Sequence, residues 1–208
     1  MIESQTLILF FSTAVLLALS PGPDNLFVVA QSAQNGRAAG FAVTLGLCTG
    51  LVGHTLAVAL GLAAVVRASA LAFTVLKAAG AVYLLYLAWQ AWRAGAVAGE
   101  EAQTTPLSGW FLYRRGIVMN LTNPKVSLFF LAFLPQFADP RHGSLVGQFL
   151  QLGVVFIFAT MIVFGMVSLL AGGFGERFRN SPSALRMVNR AAAAVFVGLA
   201  LKLALSER

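Results

Sequence analysis

Six long apolar runs decide what this chain can fold into: about 6–33, 41–66, 70–92, 112–137, 146–170 and 187–205. Each comes close to or exceeds the roughly 20 residues that carry a helix across about 30 Å of hydrocarbon. The connections are short, and no stretch is left for a soluble second domain. The expected architecture is therefore an all-α integral membrane protein, with six transmembrane helices in one domain over residues 1–208. Composition agrees. Hydrophobic residues make up 59% of the chain and charged residues 10%, against about 25% charged in an ordinary soluble domain. So few charges cannot cover an exterior in water, and much of the apolar surface must face lipid.

The formal charge of +7 does not make a nucleic-acid binder, because the cations are scattered singly between apolar runs instead of sharing a face with interleaved aromatics. The single cysteine, Cys48, excludes an internal disulfide and a multi-cysteine zinc site. The opening residues MIESQTLILF carry an acid and no lysine or arginine, and the apolar stretch after them lacks a small-residue cleavage site. That reads as a retained first span, not a cleaved signal.

Orientation follows from the cations of short loops. Connections one, three and five carry Arg37; Arg93, Arg114 and Arg115; and Arg177, Arg179 and Arg186, whereas the other side carries Arg67, Arg141 and Arg208. Counting charges just inside the spans adds Arg190 to the first set and Lys77 and Lys202 to the second, and the majority keeps its side. Both termini are expected outside the cytoplasm. Tyr83, Tyr86, Trp89 and Trp92, with Trp110 and Tyr113, read as an interfacial belt at the inner end of the third and fourth spans.

Two of the runs cannot be continuous helices. The first contains Ser20-Pro21-Gly22-Pro23-Asp24-Asn25 and the fourth contains Asn120-Leu121-Thr122-Asn123-Pro124-Lys125. Each proline removes a donor and clashes with the preceding turn, so Pro21, Gly22, Pro23 and Pro124 mark helix breaks. The breaks lie near the same place in each half of the chain, each in the first of three spans. That is a three-plus-three pattern with halves of about 1–95 and 106–208. Three is odd, so the second half enters upside down, and interrupted helices at matching positions of inverted repeats point to a transporter's binding site. At about 1.5 Å per helical residue, both breaks fall in the middle or inner half of the membrane, where they can meet.

Asp24 is the only acid inside any of the six runs. Ionisable groups in a membrane are costly, usually functional and usually partnered, and Lys125 is the obvious partner. Asp24 opens a half-helix, where free amides and the positive dipole end favour an anion. Lys125 also opens one, where a cation is disfavoured unless an anion stands nearby. Plainer readings remain beside these: Asp24 can be a cap after a kink, Lys125 can snorkel to the headgroups, and Asn25, Asn120, Thr122 and Asn123 can serve only the freed backbone. Gly46, Gly50 and His54 are spaced by four and share one helix face, a spacing that marks close helix packing. His54 can relay a proton or bond across to another helix.

The stretches SPGPDNLFVVAQSAQNGRAAGF, LGLCTGLVGHT, LKAAGAVYLLYLAWQAWR and NLTNPKVSLFFLAFLPQF resemble the LysE/RhtB family of bacterial amino-acid exporters, the homoserine/threonine and lysine efflux group. The resemblance implies a six-span inner-membrane exporter, driven by the proton gradient, for neutral amino acids such as threonine, homoserine and leucine, or for basic ones. It places Pro21, Gly22, Pro23 and Asp24 in the first family motif and Asn123, Pro124 and Lys125 in the second.

On these readings the substrate- and proton-binding candidates are Asp24, Lys125, Asn25, Asn120, Asn123 and His54. Asp24 receives a substrate ammonium and also the coupling proton, so that competition between them gives antiport, while half-helix amides and Lys125 receive the carboxylate. No cofactor, resident metal or nucleic acid is expected; the expected partners are substrate, proton and lipid, with a homo-oligomer possible through the glycine faces. Catalysis is disfavoured, since His54 has no evident nucleophile and no G-x-x-x-x-G-K-[ST] loop is present. The rival reading is a cation or metal exporter on the same scaffold, for which one acid with several amides is a thin oxygen set.

Overall fold

The computed structural model describes residues 2–20, 22–62, 70–93, 107–179 and 182–205, and their regular structure is entirely helical. Pro21, the end of the second apolar run beyond Leu62, Arg67, residues 94–106 of the third connection and Arg208 lie outside the described residues.

The first apolar run forms two helices, α1 (Ser4–Leu19) and α2 (Pro23–Asn35), bent by 64°. α3 (Arg37–Ala57) continues through a π turn at Val58–Leu62, and α4 spans Ala70–Arg93. The fourth run again forms two pieces, α5 (Gly109–Leu121) and a segment bent from it by 47°. That segment begins as α6 (Pro124–Leu128), widens into a π turn at Phe129–Phe133 and tightens to a 3-10 turn at Leu134–Phe137. Pro135 accounts for the irregularity, because it has no N–H to give the preceding turn and its ring displaces the carbonyl it would have met. A short 3-10 turn at Pro140–His142 leads to α7 (Leu145–Arg179), and α8 covers Pro182–Leu205.

Hydropathy placed these elements well and their ends less well. α3 starts at Arg37, ahead of its apolar run, and α7 continues past Leu170 to Arg179. Apolar runs mark the part of a helix that lipid or core can hold, whereas the hydrogen-bonded ladder extends until a cap or a proline stops it. Among the described residues, Arg37–Gly61 and Leu145–Leu170 are each long and apolar enough to cross a membrane, and the count rises to four when each bent pair is one span. α4 and α8 have 24 residues each and pack against one another. At about 1.5 Å per residue that length also covers about 30 Å of hydrocarbon.

α3 lies against α5 and α7, α2 against α3 and α7, and α1 against α7 and α8. The α3–α5 crossing is tight because two glycines face each other there: a Cβ at Gly116 would come 2.5 Å from the Val43 carbonyl oxygen and 3.1 Å from the Gly46 Cα. Two apolar clusters form the interior. One is aromatic, with Phe10, Phe129, Phe130, Phe133, Phe137 and Phe156, and its rings meet edge-on or tilted, such as Phe10 with Phe137 at 5.0 Å. The other is mostly aliphatic, around Val28, Val43, Leu47, Leu112 and Val163, with Phe164 among them. Leu17 belongs to the first cluster and Ala18 to the second, so the end of α1 runs along their boundary.

The outward faces are also apolar. Ile8, Leu60, Val82, Val154, Phe158 and Leu170 are all exposed, more apolar surface than a water-soluble monomer leaves open. Tyr83, Tyr86 and Trp89 run in ring contact toward the end of α4, Arg93 lies 4.4 Å over Trp89, and Trp110 stacks on Tyr113 at the start of α5. This is the composition of a membrane–water interface.

Candidate functional site

The two breaks come together. α1 ends at Leu19, and Ser20 leaves the helix in an extended conformation (φ −65°, ψ 134°). Gly22, also extended, precedes Pro23 and Asp24 at the start of α2. In the other half, Asn123 precedes Pro124 and Lys125 at the start of α6. Each half-helix therefore begins with proline, whose missing N–H costs nothing there, and carries its charge at the next position.

Those charges form a buried pair. Lys125 Nζ lies 3.3 Å from Asp24 Oδ1, and the residues are 4% and 3% exposed. The ammonium donates two further hydrogen bonds, to the carbonyl oxygens of Ser20 at 3.2 Å and Leu17 at 3.4 Å. These carbonyls sit at the C-terminal end of α1, where the dipole is negative and intrahelical amide donors run out; the Leu17 oxygen also accepts from the Ser20 N–H at 3.2 Å and the Ser20 hydroxyl at 2.6 Å. The cation that is disfavoured at the start of its own helix is thus stabilised by the end of another, and Lys125 does not snorkel. Gly22 makes the approach possible: a Cβ there would lie 2.6 Å from Asp24 Oδ1 and 2.9 Å from Lys125 Nζ.

The amides divide their polar atoms. Asn25 Nδ2 donates to the Ala18 carbonyl at 2.7 Å, and Asn123 Oδ1 accepts from the Lys125 backbone N–H at 3.0 Å as the cap of α6. The Thr122 hydroxyl donates back to the Val118 carbonyl at 2.8 Å. These are the backbone-satisfying roles that broken helices require. Yet among the described residues Asn25 Oδ1, Asn120 Oδ1 and Asn123 Nδ2 are buried without a hydrogen-bond partner, two acceptors and one donor carried by the two breaks. Buried polar atoms are rarely left so.

The face carrying Gly46, Gly50 and His54 meets α5. A Cβ at Gly50 would lie 2.7 Å from Asn120 Oδ1. His54 Nε2 lies 3.2 Å from the Asn120 backbone oxygen, and because a carbonyl only accepts, that nitrogen carries the hydrogen. The ring rests on Phe130 at 5.5 Å. The arrangement mirrors the first break: Lys125 supplies donors to the end of α1, and His54 supplies one to the end of α5. The hydrogen bond of His54 goes to the Asn120 carbonyl and not to the Asp24–Lys125 pair.

Of the sequence candidates, the structure brings Asp24, Lys125, Gly22, Asn25 and Asn123 to one place, with Asn120 and His54 adjoining through α5; Pro21 lies outside the described residues. Sequence reasoning missed the Leu17 and Ser20 carbonyls, since backbone ligands carry no side-chain signal. It also missed the contact of Arg115 with the Phe27 ring at 4.6 Å, which ties α5 to α2 beside the breaks. Among the described residues no three His, Cys, Asp or Glu side chains gather as a metal-binding group.

An apolar helical protein that buries one ion pair where two interrupted helices face each other belongs, as a class, with membrane transporters. Residues 15–207 match the LysE type translocator family, and the chain belongs to that family. It is 34% identical over 198 residues to an uncharacterized membrane protein of Vibrio cholerae, covering 95% of this chain and 96% of that one. It is 35% identical over 188 residues to the homoserine/homoserine lactone efflux protein of Salmonella typhimurium, covering 90% of each. With the leucine efflux protein of Salmonella choleraesuis the identity is 28% over 196 residues, covering 92% of this chain and 91% of that protein. No solved structure matches the chain.

Proposed function

We propose that this protein is a secondary active exporter of amino acids, working by proton antiport across the bacterial inner membrane. The observation that carries the reading is the Asp24–Lys125 pair, buried at two facing helix breaks in a chain of a translocator family. A membrane-buried acid that can take either a proton or a cation is the minimum device for exchanging one for the other.

The relatives' cargoes support an amino-acid substrate. Homoserine, homoserine lactone and leucine, named for two of them, share one ionic group, the α-ammonium, because the lactone has no free carboxylate. Asp24 with the Leu17 and Ser20 carbonyls is chemistry for that group. A free carboxylate, where the cargo has one, falls to Lys125 and to the unpartnered Asn123 amide. The reading includes six spans in a three-plus-three inverted repeat forming one domain, with both termini periplasmic as the arginine distribution favours.

Efflux from cells loaded with labelled threonine, homoserine, leucine and lysine, and separately with a divalent metal, tests it. The expected result is faster loss of at least one amino acid from cells carrying the protein, abolished by Asp24→Asn and by an uncoupler while the protein still inserts. Export of metal alone would overturn the substrate assignment, and full gradient-dependent export by Asp24→Asn would overturn the role of the acid.

A further inference from the structure

An ammonium group has three N–H donors and no acceptor. Lys125 Nζ sits where three oxygens converge at nearly equal distance: Ser20 O at 3.2 Å, Asp24 Oδ1 at 3.3 Å and Leu17 O at 3.4 Å. All three belong to the first break and the ammonium comes from the second, so the seat and its occupant are built by different halves of the chain. Nothing in the seat is particular to lysine. Two helix-end carbonyls and a carboxylate suit any primary ammonium.

Lys125 engages all three oxygens at once, and Gly22 walls one side of the seat, where even a Cβ would lie 2.9 Å from Nζ. The three contacts are also longer than the roughly 2.7–2.9 Å of a well-seated charged N–H···O bond. The tethered lysine fills the seat without settling fully into it, and a free ammonium has no such restraint.

We propose that Lys125 is a tethered occupant of the seat for the substrate's ammonium, which holds it shut when no cargo is bound and is displaced when cargo enters. The proposal rests on the exporter reading above. Displacement of Lys125 by a zwitterion exchanges one ion pair for two, Asp24 with the cargo ammonium and Lys125 with the cargo carboxylate. The buried site stays neutral before and after. An empty seat would leave Asp24 an uncompensated buried charge, which is strongly unfavourable. The site therefore rests with Lys125 in place or with cargo in place, and a proton arriving at Asp24 loosens the hold on whichever ammonium occupies the seat.

The test uses the purified full-length protein in lipid nanodiscs, with ethylammonium as the probe and tetramethylammonium, which has no N–H, as the control. Thermal unfolding is followed in the wild type, Lys125→Ala and the double variant Lys125→Ala with Asp24→Asn. Ethylammonium should raise the unfolding midpoint of Lys125→Ala saturably, with half-saturation at least about tenfold below any response of the wild type, since the competing tether is gone. Tetramethylammonium should do nothing, and the double variant should lose the response. Equal responses in wild type and Lys125→Ala, or none in Lys125→Ala, would overturn the proposal. If Lys125→Ala can be recovered only with an amine present, recovery by ethylammonium but not tetramethylammonium supports the seat, and recovery by both or by neither overturns it. The assay involves no transport. An amine response without amino-acid efflux removes the exporter reading alone, and efflux without an amine response removes the tethered occupant alone.

Discussion

Asp24 and Lys125 each stand directly after the proline that opens a half-helix, and their side chains meet at 3.3 Å although 101 positions separate them in the chain. The acid is where a helix start stabilises it, and the base is where the end of a different helix does. Breaking such a pair by removing one member leaves an uncompensated buried charge, at about 3–5 kcal/mol. Asp24→Asn and Lys125→Met should therefore each lower the thermal unfolding midpoint, and the double variant should be more stable than the sum of the two losses predicts. A double-mutant cycle in detergent reads the coupling directly; additive losses would mean the pair does not act as one.

Gly22→Ala tests the close approach without touching either charge. Gly22 has an extended backbone (φ −172°) that alanine adopts freely, so the effect comes from the methyl group pressing on Asp24 Oδ1 and Lys125 Nζ. Export is expected to fall while the protein inserts normally, with stability lower by about 1–3 kcal/mol. Efflux together with a thermal melt checks this, and wild-type export would show that the pair has slack.

Gly46→Ala should destabilise the α3–α5 crossing, because its Cβ would overlap the Tyr113 carbonyl oxygen and lie 3.0 Å from the Gly116 Cα. Backbone cannot swing aside as a side-chain tip can, so a loss of about 1–3 kcal/mol is expected. Gly61→Ala is the control. Among the described residues no atom lies within 4 Å of its Cβ, and thermal unfolding should show no loss.

His54→Gln separates a structural histidine from a proton relay. The hydrogen bond to the Asn120 carbonyl needs a donor and not a titrating ring, and a glutamine amide supplies one. Export should stay within about twofold of wild type and remain sensitive to uncoupler, whereas His54→Leu, which abandons the bond, should cost about 0.5–1.5 kcal/mol. Uncoupler-insensitive export by His54→Gln would assign the ring to proton transfer instead.

Outside the spans, Asp139 and Arg141 form a local pair, with Arg141 Nη2 2.6 Å from Asp139 Oδ2. Hydrogen bonds from the Arg141 side chain, and then from its backbone N–H, hold the Asp139 carboxyl at about 2, below its ordinary 3.8. A depressed folded-state value stabilises the fold above pH 3.8 and loses that contribution as pH falls toward 2. NMR titration should find the wild-type midpoint near 2, and Arg141→Gln should return it toward 3.8.

Much of the fold was legible because the signals are local. Pro23 and Pro124 stop helices wherever they stand, apolar runs announce membrane-length helices, and the spacing of Gly46, Gly50 and His54 named the face that meets α5. Helix ends such as Arg179 were not legible, since a ladder of backbone hydrogen bonds outlasts the apolar stretch. The site was half legible: Asp24 and Lys125 stood out as charges in apolar runs, while the Leu17 and Ser20 carbonyls could not, because every residue has one.

The sequence by itself determined where the chain breaks and that an acid and a base follow the breaks, for those properties belong to single residues and their neighbours. Only the tertiary structure decided that Lys125 reaches the end of α1, and that His54 serves α5 instead of the ion pair. That outcome depends on which helix ends stand within a side chain's reach. The packing of α1, α2, α3, α5 and α7 sets those distances, and the glycines at the crossings let the backbones come close enough.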